Sequence, residues 1–402
     1  MPKIHIPVIA YTQGGREMMT TAMGAVDLVR MVAEPQPWDQ KASTHGNRPR
    51  DAHHVKGIRE YLENEQHFVL GAVVLYLTSE EAEFTSVPMP GITTEADVVK
   101  PGYLSIDIGS KFDIGDGQHR SNAYDQIVNE SDPESEVIHR LKRSGQPLIV
   151  VIEDDMKRRA QDFADLQRNV KAPSASMGQS MDRRQPINRE LSDLFETSPL
   201  FDDRVEYFKD NPGKLSTKLF SFKTVRYVSG LLLVGNGYRS PATMDKAVNA
   251  RFEGADGGEK ARGELTEFWN AIGEMVRFAD VVSGEMKAPE LREATYLTSA
   301  GVLYAIAFAA YTAKKVGIAI PDAIRSLDEV SFDRTAKTSG ITAEDTFFAG
   351  SLIDPETGKL VAGRTAWETA AKDLMKVVIE KTEWDLVPAQ AVGEVDEVSE
   401  TA

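Results

Sequence analysis

The chain has 402 residues, 41% of them hydrophobic and 27% charged, with 46 Lys and Arg against 62 Asp and Glu, a net charge of −16 and a pI of about 5.0. That length is too great for one small core and calls for two domains, or one domain with a large extension. The acidic balance excludes a body coated with non-specific affinity for nucleic acid while leaving room for a local basic groove. There is no cysteine, which rules out disulfides, thiolate catalysis and Cys-ligated zinc or iron–sulfur sites.

In chain order, the opening MPKIHIPVIAYTQGG lacks the charged-then-apolar pattern of a signal peptide, so the cytoplasm is the expected compartment. Ile4, Ile6 and Val8 alternate with His5 and Pro7 and predict a strand. Met18–Val32 carries apolar residues at helical spacing and predicts an amphipathic helix, ended by Pro35 and Pro37. Thr44–Arg50 is a polar loop containing Arg48, followed by a helix over Asp51–Asn64 with Val55, Ile58 and Leu62 on one face. The Val-rich run Phe68–Leu77 predicts a buried strand, and Ser79–Pro101 a loop or irregular hairpin. A strand over Tyr103–Ile108, helices over Gln118–Asn129 and Glu134–Arg143, a strand over Leu148–Ile152 and a helix from Asp154-Asp155 to about Asn169 complete an α/β (α+β) N-terminal domain, residues 1–198.

After Ser198 no convincing strand is expected. Helical patterns recur over Phe220–Val234, Lys260–Val282, Thr298–Val316 and Ala366–Glu383, predicting an all-α C-terminal domain, residues 199–387, with loops at Gly254–Gly258 and Ser331–Thr342. The most apolar run, Leu297–Ile320, is alanine-rich and stands alone, so it reads as a buried core helix rather than a membrane span. Residues 388–402 read as a disordered acidic tail.

The chemistry concentrates at one turn. Gly115-Asp116-Gly117 leads straight into Gln118-His119-Arg120-Ser121, which opens a helix. Glycine lets a ligand approach the backbone closely, and a helix N-terminus presents free N–H groups and the positive end of the dipole to a phosphate or carboxylate. Gly115, Gly117, Gln118, Arg120 and Ser121, with Arg48 as a further contact, form the candidate phosphate- or nucleotide-binding set. Asp116, His119 and Arg120 form the candidate catalytic set. Arg120 can fork onto phosphate oxygens, and His119 can donate to an oxyanion or carry a proton. Asp116 can cap the helix, orient either neighbour, or join Asp107 and Asp113 around Mg²⁺. On the residues alone, an anion site and a capped helix with a surface ion pair both remain open. His53 and His54 are adjacent on a helix and point apart, which disfavours a metal between them.

A second stretch reverses the sign of the chain. From Met156 to Arg189 eight basic residues face three acids, a local balance of +5 within a total of −16. Lys157, Arg158, Arg159, Arg168, Asn169, Lys171, Arg183 and Arg184 are the candidate DNA-binding residues, the alternative being a solvated helix face with ordinary ion pairs. Lys223-Thr224-Val225-Arg226 and Arg239-Ser240 in the helical half offer a further partner or DNA surface. There is no Walker A string, no Gly-x-Ser-x-Gly elbow and no His-Glu-x-x-His.

The string Asp116-Gly117-Gln118-His119-Arg120 resembles the signature of the DGQHR-domain family, whose DndB-type members are associated with phosphorothioate modification of DNA and whose domain is distantly related to the ParB/sulfiredoxin fold. The resemblance extends diffusely from Ile4 to about Asn188. Gly46-Asn47-Arg48, Arg168–Ser174 and Asp182–Asn188, a D-x-R-x-P-x-N stretch, are similar to family segments, although Asp165-Leu166-Gln167 departs from the Asn-containing family pattern. It implies a ParB/sulfiredoxin-like N-terminal domain and a DNA-binding protein of a DNA sulfur-modification system that regulates transcription of modification genes. Sulfiredoxin chemistry is excluded by the missing thiol. Two alternatives stand beside this reading. One is an ATPase or DNA nickase in which Arg120 holds phosphate, His119 acts on the leaving oxygen or a water and Asp116 positions His119 or Mg²⁺, with ATP and Mg²⁺ as cofactors. The other is a scaffold of the modification complex. The expected partners are DNA, a nucleotide, other DNA-modification proteins and further copies of the chain, with no membrane.

Overall fold

The computed structural model describes residues 2–34, 51–88, 99–168, 173–238, 240–253, 257–334 and 346–382. The chain divides into two compact units, residues 1–171 and 172–402. Residues 172–198 fall in the second unit, because Ile187, Leu191 and Leu194 are buried in its helical core.

The first unit is built on a seven-stranded mixed sheet. Its strands are β1 (Lys3–Gln13), β2 (Arg16–Gly24), β3 (Val73–Leu77), β4 (Ala82–Ser86), β5 (Val99–Asp107), β6 (Asp113–Asp116) and β7 (Gly145–Ile152), in the order β4-β5-β1-β2-β7-β3-β6. All pairings are antiparallel except β3 with β7. The expected helix over Met18–Val32 is corrected to β2 followed by the short helix α1 (Ala25–Met31). The cause lies just upstream: Gly14 and Gly15 both take positive φ, +59° and +76°, the backbone of a two-residue hairpin turn. That turn sends the chain back along β1, and β2 then pairs on its other side with β7, so ladder formation overrides helical spacing. The strand expected over Phe68–Leu77 is confined to Val73–Leu77. β4 and β6 form where a loop or irregular hairpin and a turn were expected.

One face of the sheet buries Val8, Leu75, Leu104, Ile114, Leu148 and Val150 in a common core with Leu28 of α1. A second core joins α1, α2 (Ala52–Asn64), α3 (Gln118–Glu130) and α4 (Glu136–Lys142) through Val55, Leu62, Tyr124, Ile127 and Leu141. The predicted helix over Asp51–Asn64 is observed as α2, with Asp51 as its cap. The helix α5 (Met156–Arg168) packs against β6 and touches Tyr76, which clusters with Val74 and Val151 apart from the main sheet core.

The second unit is helical. Its helices are α6 (Ala175–Met181), α7 (Pro186–Thr197), α8 (Phe222–Val234), α9 (Pro241–Ala250), α10 (Gly257–Glu274), α11 (Val276–Ser283), α12 (Ala288–Ala294), α13 (Ala300–Lys315), α14 (Ile320–Arg325) and α15 (Arg364–Lys381). Two-residue strands, Val205–Glu206 and Phe220–Ser221, pair in parallel where no strand was expected. The single helix expected over Lys260–Val282 is interrupted at Met275, which takes extended backbone angles between α10 and α11. α13 packs against α8, α14 and α15 with Leu303, Ile306 and Ala310 buried, so the apolar run 297–320 is core. Among the described residues no helix is long and apolar enough to cross a membrane. The tail 388–402 and most of the loops at Gly254–Gly258 and Ser331–Thr342 lie outside the described residues, but Gly257 and Gly258 already belong to α10.

Candidate functional site

The turn singled out by sequence sits at the end of the outermost strand. β6 pairs with β3 through Tyr76↔Asp113, Leu75↔Ile114 and Val74↔Asp116, and the register slips at Gly115. A β-carbon at Gly115 would stand 2.3 Å from Cε2 of Tyr76, so the slip and the close strand approach need glycine there. Gly117 follows with φ +99° and ψ 15°, a left-handed conformation, and is the N-cap residue of α3. Gly117 has no side chain with which to cap α3, and among the described residues no side-chain cap stands there.

Asp116 does not act as the cap. Its carboxylate accepts from Nη2 of Arg120 at 3.1 Å, and the same Nη2 donates to the carbonyl of Ala72 at 3.1 Å. The guanidinium folds over Gly117, where a β-carbon would lie 2.9 Å from Nη2 and 2.9 Å from Cγ2 of Val73. Arg120 Nε is buried and has no hydrogen-bond partner among the described residues. Gln118, His119 and Ser121 are all buried.

His119 ties α3 to α2. Its Nε2 accepts the backbone N–H of Asp51 at 3.2 Å, which places the ring proton on Nδ1. Its ring meets that of His54 edge to face, with centroids 4.9 Å apart and planes at 81°. The Asp51 carboxylate accepts the N–H groups of His53 and His54, and these bonds, that from His54 foremost, hold it below the ordinary carboxylate range. Two helix N-termini therefore converge here, that of α2 capped by Asp51 and that of α3 starting at Gly117. Asp116, Gly117, Gln118, His119, Arg120 and Ser121 come together in one place, while Arg48 lies outside the described residues.

The acidic trio separates. Asp113 accepts from Nη1 of Arg159 at 2.7 Å, Asp116 is taken by Arg120, and Asp107 ends β5, which does not pair with β6. Among the described residues no three His, Asp or Glu side chains gather as a metal site.

The basic stretch is divided between the two units. Lys157 and Arg158 are exposed on α5, Arg158 within 3.9 Å of Glu153 and of Asp155. Arg159 is 5% exposed and turned inward: it donates to the Glu153 carbonyl and to Asp113, and lies 5.3 Å over the Tyr76 ring. Arg168 ends α5, and Asn169 and Lys171 lie outside the described residues. Arg183 and Arg184 are exposed at the turn between α6 and α7, where Arg184 Nε bonds Asp182 at 2.9 Å. The D-x-R-x-P-x-N stretch folds as one structural unit. Asp182 holds Arg184, Pro186 starts α7, and buried Asn188 donates to the carbonyls of Gln179 and Asp182 while accepting from Arg226.

A charged network beside this site carried little sequence signal. Arg16 on β2 grips Asp162 of α5 through two bonds of 2.7 and 2.8 Å and reaches Glu153 at 3.1 Å. The buried Tyr76 hydroxyl donates to Asp162 at 2.9 Å. Burial, and after it that bond, raises the Tyr76 hydroxyl above the ordinary tyrosine range. The one hint was a tyrosine inside an otherwise aliphatic strand.

The family model described as DndB, DNA-sulfur modification-associated, matches residues 6–338. No curated protein and no solved structure matches the chain.

Proposed function

The chain belongs to the DndB family of DNA-sulfur modification-associated proteins, and from that premise we propose that it binds DNA within a sulfur-modification system and regulates transcription of the modification genes. In this reading the first unit is a ParB/sulfiredoxin-like domain. A DNA phosphate meets the N-terminal end of α3, drawn by the positive end of the helix dipole, and the exposed Lys157 and Arg158 of α5 hold the flanking phosphates. The observation that carries the reading is that α3 starts at a left-handed glycine with no side-chain cap among the described residues, although an aspartate immediately precedes it. A helix N-terminus favours oxyanions through both its N–H groups and the dipole.

The roles of the turn residues follow from their bonds. Arg120 braces Asp116 against Ala72 and keeps the carboxylate away from the α3 N-terminus, where it would repel phosphate. His119 fixes α3 against α2. Lys157 and Arg158 are exposed on α5 and supply point charges to the DNA backbone, while Arg183 and Arg184 are exposed on the second unit. Hydrolysis at the turn has less support, because His119 Nε2 and the Asp116 carboxylate are both engaged.

The test is a titration of duplex DNA by fluorescence anisotropy between 50 and 200 mM salt. Each phosphate contact contributes about 0.9 to the slope of log affinity against log salt. A slope of several is expected in the wild type, with a decrease of about one for Arg158→Ala. An affinity independent of salt would remove the phosphate reading.

A further inference from the structure

A cavity of about 750 Å³ lies wholly within the second unit, a volume inside the roughly 300–1,000 Å³ range of small-molecule sites. Its lining is cationic: Lys223, Arg226, Arg292, Arg334 and Arg364 face one carboxylate, Asp245. Arg226 is paired with Asp245 at 2.8 Å, and Lys223 with Asp210 at 3.3 Å. Arg364 bonds Glu368. Arg292 and Arg334 have a different environment. Arg292 donates to the carbonyls of Lys214, Ser216 and Lys218, and Arg334 to those of Arg292 and Thr295 while lying 4.4 Å over the Tyr296 ring. Among the described residues neither has a carboxylate partner, so the cavity wall carries unbalanced positive charge.

Three further features converge on the same space. The first turn of α13 lines it with Ser299, Ala300 and Gly301, and Ser299 makes no side-chain cap. Gln179 also lines it, and its Oε1 is buried without a partner among the described residues. Tyr227, Tyr304 and Trp367 supply an aromatic wall, with ring centroids 4.6 Å apart for Tyr227 and Tyr304 and 6.2 Å for Tyr304 and Trp367. Partial burial lowers the pKa of both Arg292 and Arg334.

We propose that this cavity binds a nucleotide, its phosphates taken by the α13 N-terminus with Arg292 and Arg334 and its base by the aromatic wall. Phosphate alone would need only the cations, and the rings beside them select a planar group. The inference is independent of the α3 turn, which belongs to the other unit.

The experiment is calorimetry on the full chain with ATP, AMP and inorganic phosphate as separate probes. Saturable one-to-one binding of ATP or AMP is expected. Ser299→Asp places a carboxylate where the phosphate would sit yet remains a good helix cap, so the melting temperature should hold or rise. Its affinity should fall by about tenfold or more, as should that of Arg364→Glu at the mouth. Arg120→Ala should bind as wild type does. Absence of binding at millimolar ATP and AMP would overturn the proposal, as would Ser299→Asp binding like wild type. Inorganic phosphate matching AMP in affinity would overturn the nucleotide assignment. Loss of nucleotide binding in Arg120→Ala with its melting temperature intact would move the site to the turn.

Discussion

Gly117→Ala tests whether the left-handed turn organises the first unit. At φ +99° an alanine is strained by about 1–2 kcal/mol. Its β-carbon would also arrive 2.9 Å from Cγ2 of Val73 and 2.9 Å from Nη2 of Arg120. Val73 is fully buried in the sheet core and cannot retreat, so a further cost of about 1–2 kcal/mol is expected from overpacking. The total, about 2–4 kcal/mol, should lower the melting transition of this unit of 171 residues by roughly 4–16 °C in differential scanning calorimetry. The two contacts can be separated. In Arg120→Ala the guanidinium contact is gone, so adding Gly117→Ala should cost less there than in the wild type, a coupling that a double-mutant cycle reads directly. A change below about 0.5 kcal/mol for Gly117→Ala would refute the argument, because a glycine with those neighbours cannot then be required.

The inward and outward basic residues of α5 should behave differently. Arg159→Ala should cost about 1–3 kcal/mol in urea denaturation, since it strands the Glu153 carbonyl, while Lys157→Ala and Arg158→Ala should stay within about 0.5 kcal/mol. Equal effects at all three positions would contradict the burial of Arg159. Asn188→Ala should destabilise by about 2–3 kcal/mol, because two carbonyls lose a donor and Arg226 Nε loses its acceptor together; a loss under 1 kcal/mol would make the D-x-R-x-P-x-N turn dispensable. Burial pushes the Tyr124 hydroxyl from the ordinary 10.0 up to about 12. A folded-state value above the unfolded one gives stability that is whole below pH 10 and lost as pH rises to 12, about 2–3 kcal/mol in all. Urea titrations across that range should show a shallower fall in Tyr124→Phe, and identical falls would reject the assignment.

The turn that carries the candidate site was legible in the sequence as a string, because one short contiguous segment builds it and glycine spacing speaks directly to backbone conformation. α2 was legible for a similar reason: Asp51 precedes the helical pattern and caps it. β2 was not, because the methionines of Met18–Met23 fit helical spacing and only the double positive φ at Gly14-Gly15 redirects them into a ladder. β6 has four residues, too few for any period to show. The inward turn of Arg159 depends on Asp113 and Tyr76, distant in sequence, so composition counted as surface charge a cation that is buried. The cavity of the helical unit was harder still. Lys223 and Arg226 drew attention as a cluster, but Arg292, Arg334 and Arg364 join them only through folding.

The strand order has a consequence for biosynthesis. The β3–β6 ribbon, which carries the α3 turn, is joined to the other strands only by the parallel ladder between β3 and β7, and β7 is the last strand of the sheet to be made. Until residue 152 has left the ribosome, β2 and β3 each present an unpaired edge. Nascent chains of the first unit therefore pass through a sticky, open-edged stage that ends with one long-range docking event, slow by its topology. A truncation before Gly145 should give inclusion bodies rather than a smaller folded domain.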